Sequence, residues 1–278
     1  MRAAAAASAG DRSPRLSAFW SRILVVCLLL PIVLGIVWAG GWWVVALAAV
    51  VGSIALHEYF GMIRELRPVA LAGFAGLGLL LLGVQLGGLT WMLGGFLATL
   101  GLAFALYIVA RTRTSATVAV GSTVLGTGWI GLGLGYLILL RGLPTHGQLA
   151  AFTAIIAVFA ADTAAYFTGR LVGRHRMAPA LSPGKTWEGF VAGMATAVFV
   201  AFVALYRTGF VDGWRSIVLG FVIALTAVLG DLFESALKRD MHVKDSGSLL
   251  AGHGGMLDRI DALLFAGIAA YYAILTLQ

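Results

Sequence analysis

Asp231, Glu234, Ser235 and Lys238 follow one another at i, i+3, i+4 and i+7, and a second acidic pair, Asp258 and Asp261, stands at i, i+3 further on. On helices each set makes one polar stripe. Two such stripes brought together offer several carboxylate oxygens at one point, with no histidine pair or thiolate among them. That donor set suits a hard cation, and Mg²⁺ above all when a phosphate supplies the remaining ligands. The segment GHGG, Gly252 to Gly255, runs into the second stripe, where the N–H groups and positive end of a helix start favour an anion and the scarcity of side chains lets a phosphate approach. Around it stand Lys238, Arg239, Lys244 and Arg259, able to form charge-assisted hydrogen bonds with phosphate oxygens. Carboxylates, metal, Gly-rich turn and basic side chains together describe a polyphosphate site. Each member also has a plain structural reading: Asp–Arg neighbours can cap and pair, His253 can be a structural hydrogen-bonding residue, His242 can belong to a solvated loop, and Lys238 and Arg239 can be interfacial anchors. None of these readings accounts for the whole set.

The elements that must position these residues are membrane helices. Of 278 residues 60% are hydrophobic and 11% charged, and the mean hydropathy is +0.97, which excludes an ordinary soluble domain. A span needs roughly 20 apolar residues, and nine such runs are predicted, at about 22–39, 41–60, 68–86, 88–110, 117–140, 149–172, 187–209, 216–234 and 255–277. The expected fold class is therefore all-α, a polytopic integral membrane protein of about nine transmembrane helices. With a cytoplasmic N-terminus, sixteen of the nineteen Lys and Arg residues fall inside and only Arg141, Arg207 and Arg215 outside, as the positive-inside rule requires. The net charge of +7 is then a membrane-surface feature that attracts anionic headgroups and phosphates, not a nucleic-acid footprint. Residues 1–21 read as a disordered tail. Cys27, the single cysteine, lies in the first span and excludes an intramolecular disulfide or a multi-cysteine metal site.

The chain divides by character. Residues 22–150 are nearly free of ionisable groups within their spans, apart from the His57–Glu58 pair, and read as scaffold. Residues 151–278 carry Asp162, Glu188, Asp231, Glu234, Asp258 and Asp261 in or beside spans and read as the catalytic region. One ionised carboxylate in a membrane helix costs at least about 2.5–3.5 kcal/mol, so several together need cations. The predicted topology brings all six toward one membrane face, where the polar loops 170–186 and 235–254 also lie. One inward-facing site built from the last four spans is the economical interpretation.

These residues carry a family resemblance. SALKRDMHVKDSGSLLAGHGGMLDRID, Ser235 to Asp261, resembles the signature of the phosphatidate cytidylyltransferases, whose pattern is S-x-hydrophobic-K-R, four residues, K-D-x-G, then H-G-G-x-x-D-R-x-D. DTAAYFTGRLVGRHRMAPALSPGKTWEG, Asp162 to Gly189, is similar to the family's other polar segment. Ala251 stands where the family has Pro or Gly, and Gly184 where some members have a second Lys, which leaves Lys185 as the phosphate contact there. The resemblance implies transfer of a cytidylyl group from CTP to phosphatidate, giving CDP-diacylglycerol and pyrophosphate in phospholipid biosynthesis. It further implies Mg²⁺, a second cation such as K⁺, a homodimer among membrane lipids, and a site facing the cytosol from the cell membrane. On this reading Asp231, Asp258, Lys238 and Arg239 are catalytic. Asp231 and Asp258, with Asp261 and Asp162, hold the metal. Ser182, Lys185, Lys244, Asp245, His253, Gly254, Gly255 and Arg259 bind substrate.

Two other classes fit parts of the pattern. A CTP-dependent lipid kinase would share nucleotide and membrane but would transfer the γ-phosphate to an alcohol and need a base. An ion-coupled transporter also places carboxylates in helices, yet its polar groups should run through the full membrane depth, and here the outer half has almost none.

Overall fold

A backbone inside lipid must satisfy its own N–H and C=O groups, and the long runs of Leu, Val, Ala and Gly do so as helices. The computed structural model describes residues 30–110, 115–244, 246–247 and 254–278. The tail 1–21, the start of the first expected span and the site candidates Asp245 and His253 lie outside the described residues. In chain order the helices are α1, described over Leu30–Ala39, α2 Trp42–Met62, α3 Ala70–Ala110, α4 Ala116–Thr127, α5 Gly133–Arg141, α6 Gly147–Leu171, α7 Trp187–Leu205, α8 Trp214–Asp240 and α9 Leu257–Leu277. Among the described residues seven helices are long and apolar enough to cross a membrane, with Ala116–Arg141 taken as one and α1 shorter than that length. The protein is a helical integral membrane protein.

The 41-residue α3 is a hairpin rather than a rod. Gly87 (φ −144°) and Gly88 (φ 64°) leave helical geometry, and the left-handed φ at 88 is one that glycine adopts without steric cost. A Cβ at Gly83 would lie 2.5 Å from the Trp91 carbonyl oxygen and one at Gly95 2.8 Å from Leu79 backbone. Glycine thus lets the two legs touch along their backbones, as small residues do between membrane helices. The break falls where two separate spans were predicted. Between α4 and α5 the π-turn Gly128–Leu132 continues the helix and sets Trp129 edge-on to Phe233, with ring centroids 4.9 Å apart.

Two expectations are corrected. The seventh span ends at Leu205 rather than 209, because Tyr206 is extended and Arg207 takes a left-handed φ of 57°. The loop 170–186 is not simply irregular: β1 Arg176–Ala178 and β2 Ser182–Thr186 pair antiparallel, Arg176 opposite Thr186 and Ala178 opposite Ser182. Pro183 disfavours helix at Ser182 and cannot itself donate a backbone hydrogen bond, so this polar stretch folds as a short hairpin.

Two apolar cores meet at α9. Its Leu257, Ile260 and Leu264 pack with α2, α3 and α5, while Ala262, Leu263, Ala266, Ala270 and Ile274 pack with α6, α7 and α8. The helix with the second acidic pair is therefore gripped by both halves of the chain. At the opposite end Arg141 donates from Nε to the Val37 carbonyl (2.7 Å) and from Nη2 to that of Trp38 (2.8 Å), closing the last turn of α1 with a cation.

Candidate active site

The β-hairpin is held against α6 and α7 by a threonine and four glycines. The N–H of Gly189 donates to Thr186 Oγ1 at 3.1 Å, so Thr186 caps α7. Gly169, Gly173 and Gly189 close around the Thr186 side chain, and a Cβ at Gly193 would stand 2.9 Å from the Ala161 carbonyl oxygen. That close approach sets β2 beside the helix bearing Asp162. Lys185, the residue before the cap, places its Nζ 2.6 Å from Asp231 Oδ2 on α8.

The α8–α9 contact is equally tight where the acids are. A Cβ at Gly230 would sit 2.5 Å from the Asp261 carbonyl oxygen and 3.2 Å from Ala262 Cα. Two turns on, Lys238 Nζ donates at 2.7 Å to both Glu234 Oε2 and Asp258 Oδ1. Glu234 is 1% exposed and Asp261 6%. Oε1 of Glu234 is buried with no hydrogen-bond partner among the described residues. Asp162, Asp231 and Asp261 lie within electrostatic range of one another. Helices α6, α8 and α9 and strand β2 thus bring to one place the acids that the sequence distributed over 100 positions, from Asp162 to Asp261.

The start of α9 departs from expectation. The N–H of Gly255 donates to Asp258 Oδ2 at 2.7 Å, a carboxylate reaching back one turn as in half a capping box. The N–H groups of Met256 and Leu257 donate to Glu58 Oε1 and Oε2 at 3.0 and 2.9 Å. The anion received by these amides is therefore the protein's own, and the Gly255 N–H expected to meet substrate is already paired. The missing side chain at 255 still serves close approach, since a Cβ there would collide with Ser246 Oγ and stand 2.5 Å from Glu58 Oε2. Glu58, assigned to the scaffold by its position, is thus part of the site's construction. Its signal was available: it is the one carboxylate inside an otherwise uncharged apolar span.

The remaining candidates are placed unevenly. Arg239 reaches the hairpin, its Nε donating to the Leu181 carbonyl at 3.2 Å. Ser182 pairs with Ala178 at the start of β2. Lys244 is exposed beyond the end of α8, and Arg259 is exposed in the first turn of α9. Gly254 takes φ 79°, and a Cβ there would lie 2.8 Å from Asp258 Oδ2. Glu234, a member of the α8 stripe but not of the expected ligand set, proves to be the most deeply buried acid among the described residues.

Five carboxylates, at 162, 231, 234, 258 and 261, face two ammonium groups, Lys185 and Lys238. The excess of hard oxygen donors and the orphaned Glu234 Oε1 fit a divalent cation chemically. Among the described residues no three acidic side chains converge as a ready-made metal cage. The lysines occupy the carboxylate oxygens instead, so metal binding would exchange ammonium contacts for ion contacts.

Fold and site define a polytopic helical membrane protein whose cluster of acids and lysines lies at one end of the bundle. Residues 20–277 match the model of the Cytidylyltransferase family. The chain is 32% identical over 249 residues to the phosphatidate cytidylyltransferase of Staphylococcus haemolyticus, covering 88% of this chain and 94% of that one. It is 34% identical over 263 residues to that of Brucella suis, covering 90% and 91%, and 46% identical over 129 residues to that of Haemophilus influenzae, 44% of each chain. The chain belongs to the cytidylyltransferase family.

Proposed function

We propose that this protein transfers the cytidylyl group of CTP to phosphatidate, releasing pyrophosphate and leaving CDP-diacylglycerol for phospholipid synthesis. A phosphate oxygen of the lipid attacks the α-phosphorus of CTP, and the bond from that phosphorus to the β-phosphate bridging oxygen breaks. The nucleophile needs little activation, because the second pKa of a phosphate monoester lies near roughly 6 and the group is largely dianionic at neutral pH. The obstacle is electrostatic: two polyanions must meet in line. The observation that supports the reading is the compact set of acids and lysines, Lys185 on Asp231 and Lys238 on Glu234 and Asp258.

Asp231 and Asp258, with Asp261 and Asp162, would hold Mg²⁺, and a second cation such as K⁺ could share the same acids. When bound, the metal supplies positive charge to the phosphates and the departing pyrophosphate. The chain's own residues do the rest. Lys238 and Lys185, freed from their carboxylates, would turn to phosphate oxygens. Arg239, Lys244, Arg259 and Ser182 would add contacts at the rim. Asp245, His253 and Gly254 belong to the same proposed substrate surface. We place this end of the bundle at the cytosolic face of the cell membrane, where CTP arrives from water and the lipid enters from the side, and we take the working unit to be a homodimer.

The deciding experiment incubates the purified protein in detergent micelles with labelled CTP, phosphatidate and Mg²⁺ and scores both products. Equal amounts of CDP-diacylglycerol and pyrophosphate are expected. Release of CDP with a phosphorylated lipid alcohol would make the protein a kinase instead, and no turnover of either kind would overturn the reading.

A further inference from the structure

Glu58 lies in the half of the chain whose spans carry almost no charge, yet the residue is only 6% exposed and its carboxylate ends among groups nearly 200 positions away in sequence, at Ser246, Met256 and Leu257. Burying it so deep in an apolar span would be costly without donors. It receives three: the N–H groups of Met256 (3.0 Å) and Leu257 (2.9 Å) and the hydroxyl of Ser246 (3.4 Å). Carbon is excluded from the same space on two sides. A Cβ at Gly247 would stand 2.6 Å from Glu58 Oε1, and one at Gly255 2.5 Å from Oε2.

The arrangement is a helix cap supplied in trans. An N-cap side chain normally accepts the first free N–H groups of its own helix, but the residue before α9 is Met256, whose side chain makes no capping hydrogen bond, and Gly254 and Gly255 ahead of it have no side chain to offer. Glu58 of α2 fills that role. The next residue is Asp258, whose Oδ1 meets Lys238 at 2.7 Å while Oδ2 takes the Gly255 N–H at 2.7 Å and the Ser246 N–H at 3.4 Å. The amides fixed by Glu58 and the carboxylate of Asp258 therefore share one turn of backbone, and the Glu58 and Asp258 carboxylates both accept from Ser246.

We infer that Glu58 is a positioning residue: by capping α9 from α2 it fixes where the Asp258 carboxylate stands relative to Lys238 on α8. A carboxylate is required rather than any polar group, because both of its oxygens accept. Glutamine would turn an NH₂ toward one of the three donors, and aspartate would fall one methylene short. The inference rests on the transfer reading only in its kinetic arm, and backbone protection tests it separately.

The experiment compares wild type, Glu58→Ala, Glu58→Gln and, as a control, Glu65→Gln, which removes an exposed carboxylate from the same half. Amide hydrogen exchange is followed in peptides covering 254–262, and kcat and KM are measured for CTP and phosphatidate. Glu58→Ala should make the Met256 and Leu257 amides exchange at least about tenfold faster while the rest of α9 stays protected. It should lower kcat by about 10- to 100-fold, the penalty of a slightly misplaced group, with both KM values within about twofold. Glu58→Gln, which preserves bulk and serves if the alanine variant does not fold, should show the same pattern in smaller measure, and Glu65→Gln should match wild type. Unchanged exchange at 256 and 257 in both variants overturns the inference, as does a raised KM with kcat intact, which would make Glu58 a substrate contact. If wild type shows no cytidylyl transfer, the functional reading falls and the exchange result alone decides the role of Glu58.

Discussion

The ammonium of Lys238 stands 2.7 Å from Asp258 Oδ1 and 2.7 Å from Glu234 Oε2, so one cation joins the last turns of α8 to the first turn of α9. Removing one partner of such a set leaves uncompensated charge in a medium that solvates it poorly. Most of what can be tested about the site follows from that arrangement.

Lys238→Met should destabilise the protein by about 3–5 kcal/mol, the usual cost of stranding a buried charge. Combining it with Glu234→Leu should restore much of that stability, because the two sites share one interaction. Thermal unfolding in detergent measures both. Transfer activity should be absent from the double variant even where its unfolding temperature recovers, which separates the structural share of the lysine from its chemical share.

Asp258→Asn keeps the shape of the side chain and one carbonyl oxygen, enough for either Lys238 or the Gly255 N–H, while removing the charge and turning an NH₂ toward the other donor. Turnover should fall by about 10²–10³-fold or more, as when one electrostatic group aimed at a transition state is lost. The variant should insert and elute from size exclusion like wild type. Retained activity at saturating Mg²⁺ would remove Asp258 from the proposed ligands.

Gly230→Val would force α9 away from α8, since even a Cβ meets the Asp261 carbonyl oxygen at 2.5 Å. Overpacking of this kind costs about 1–3 kcal/mol. A lower unfolding temperature should accompany a loss of activity, although residue 230 bears no functional group. Wild-type activity in this variant would mean that the helix separation does not matter.

Thr186→Val preserves volume at the start of α7 and deletes the oxygen that accepts the Gly189 N–H. The expected loss of stability is about 1 kcal/mol, the usual value of an N-cap, again read from thermal unfolding. Because Lys185 is the next residue back, a modest fall in activity should follow, and Thr186→Ser should restore both.

Much of this architecture was legible in the sequence because the membrane leaves the backbone few choices. Apolar runs of about one bilayer thickness marked the spans, the division between the runs 68–86 and 88–110 matched the break in α3, and the i, i+3, i+4, i+7 stripe from Asp231 to Lys238 marked the polar face of α8. Helical period ties those residues together locally, so no knowledge of distant partners was needed to place them on one face. The family signature marked the same segment.

Which groups would meet was another matter. Spacing could not reveal that Lys185 would choose Asp231, that Lys238 would be shared by Glu234 and Asp258, or that the first amides of α9 would be taken by Glu58 rather than left for an incoming anion. Those pairings depend on how closely α8 lies on α9 and α6 on α7, which small residues such as Gly230 and Gly193 decide through packing. The amino-acid sequence by itself determined a helical membrane protein with its acids gathered toward one end, because lipid penalises unpaired charge and open backbone regardless of fold. Only the tertiary structure decided which cation answers which carboxylate, because hydrogen bonds act over about 3 Å and the residues that come within that reach are far apart along the chain.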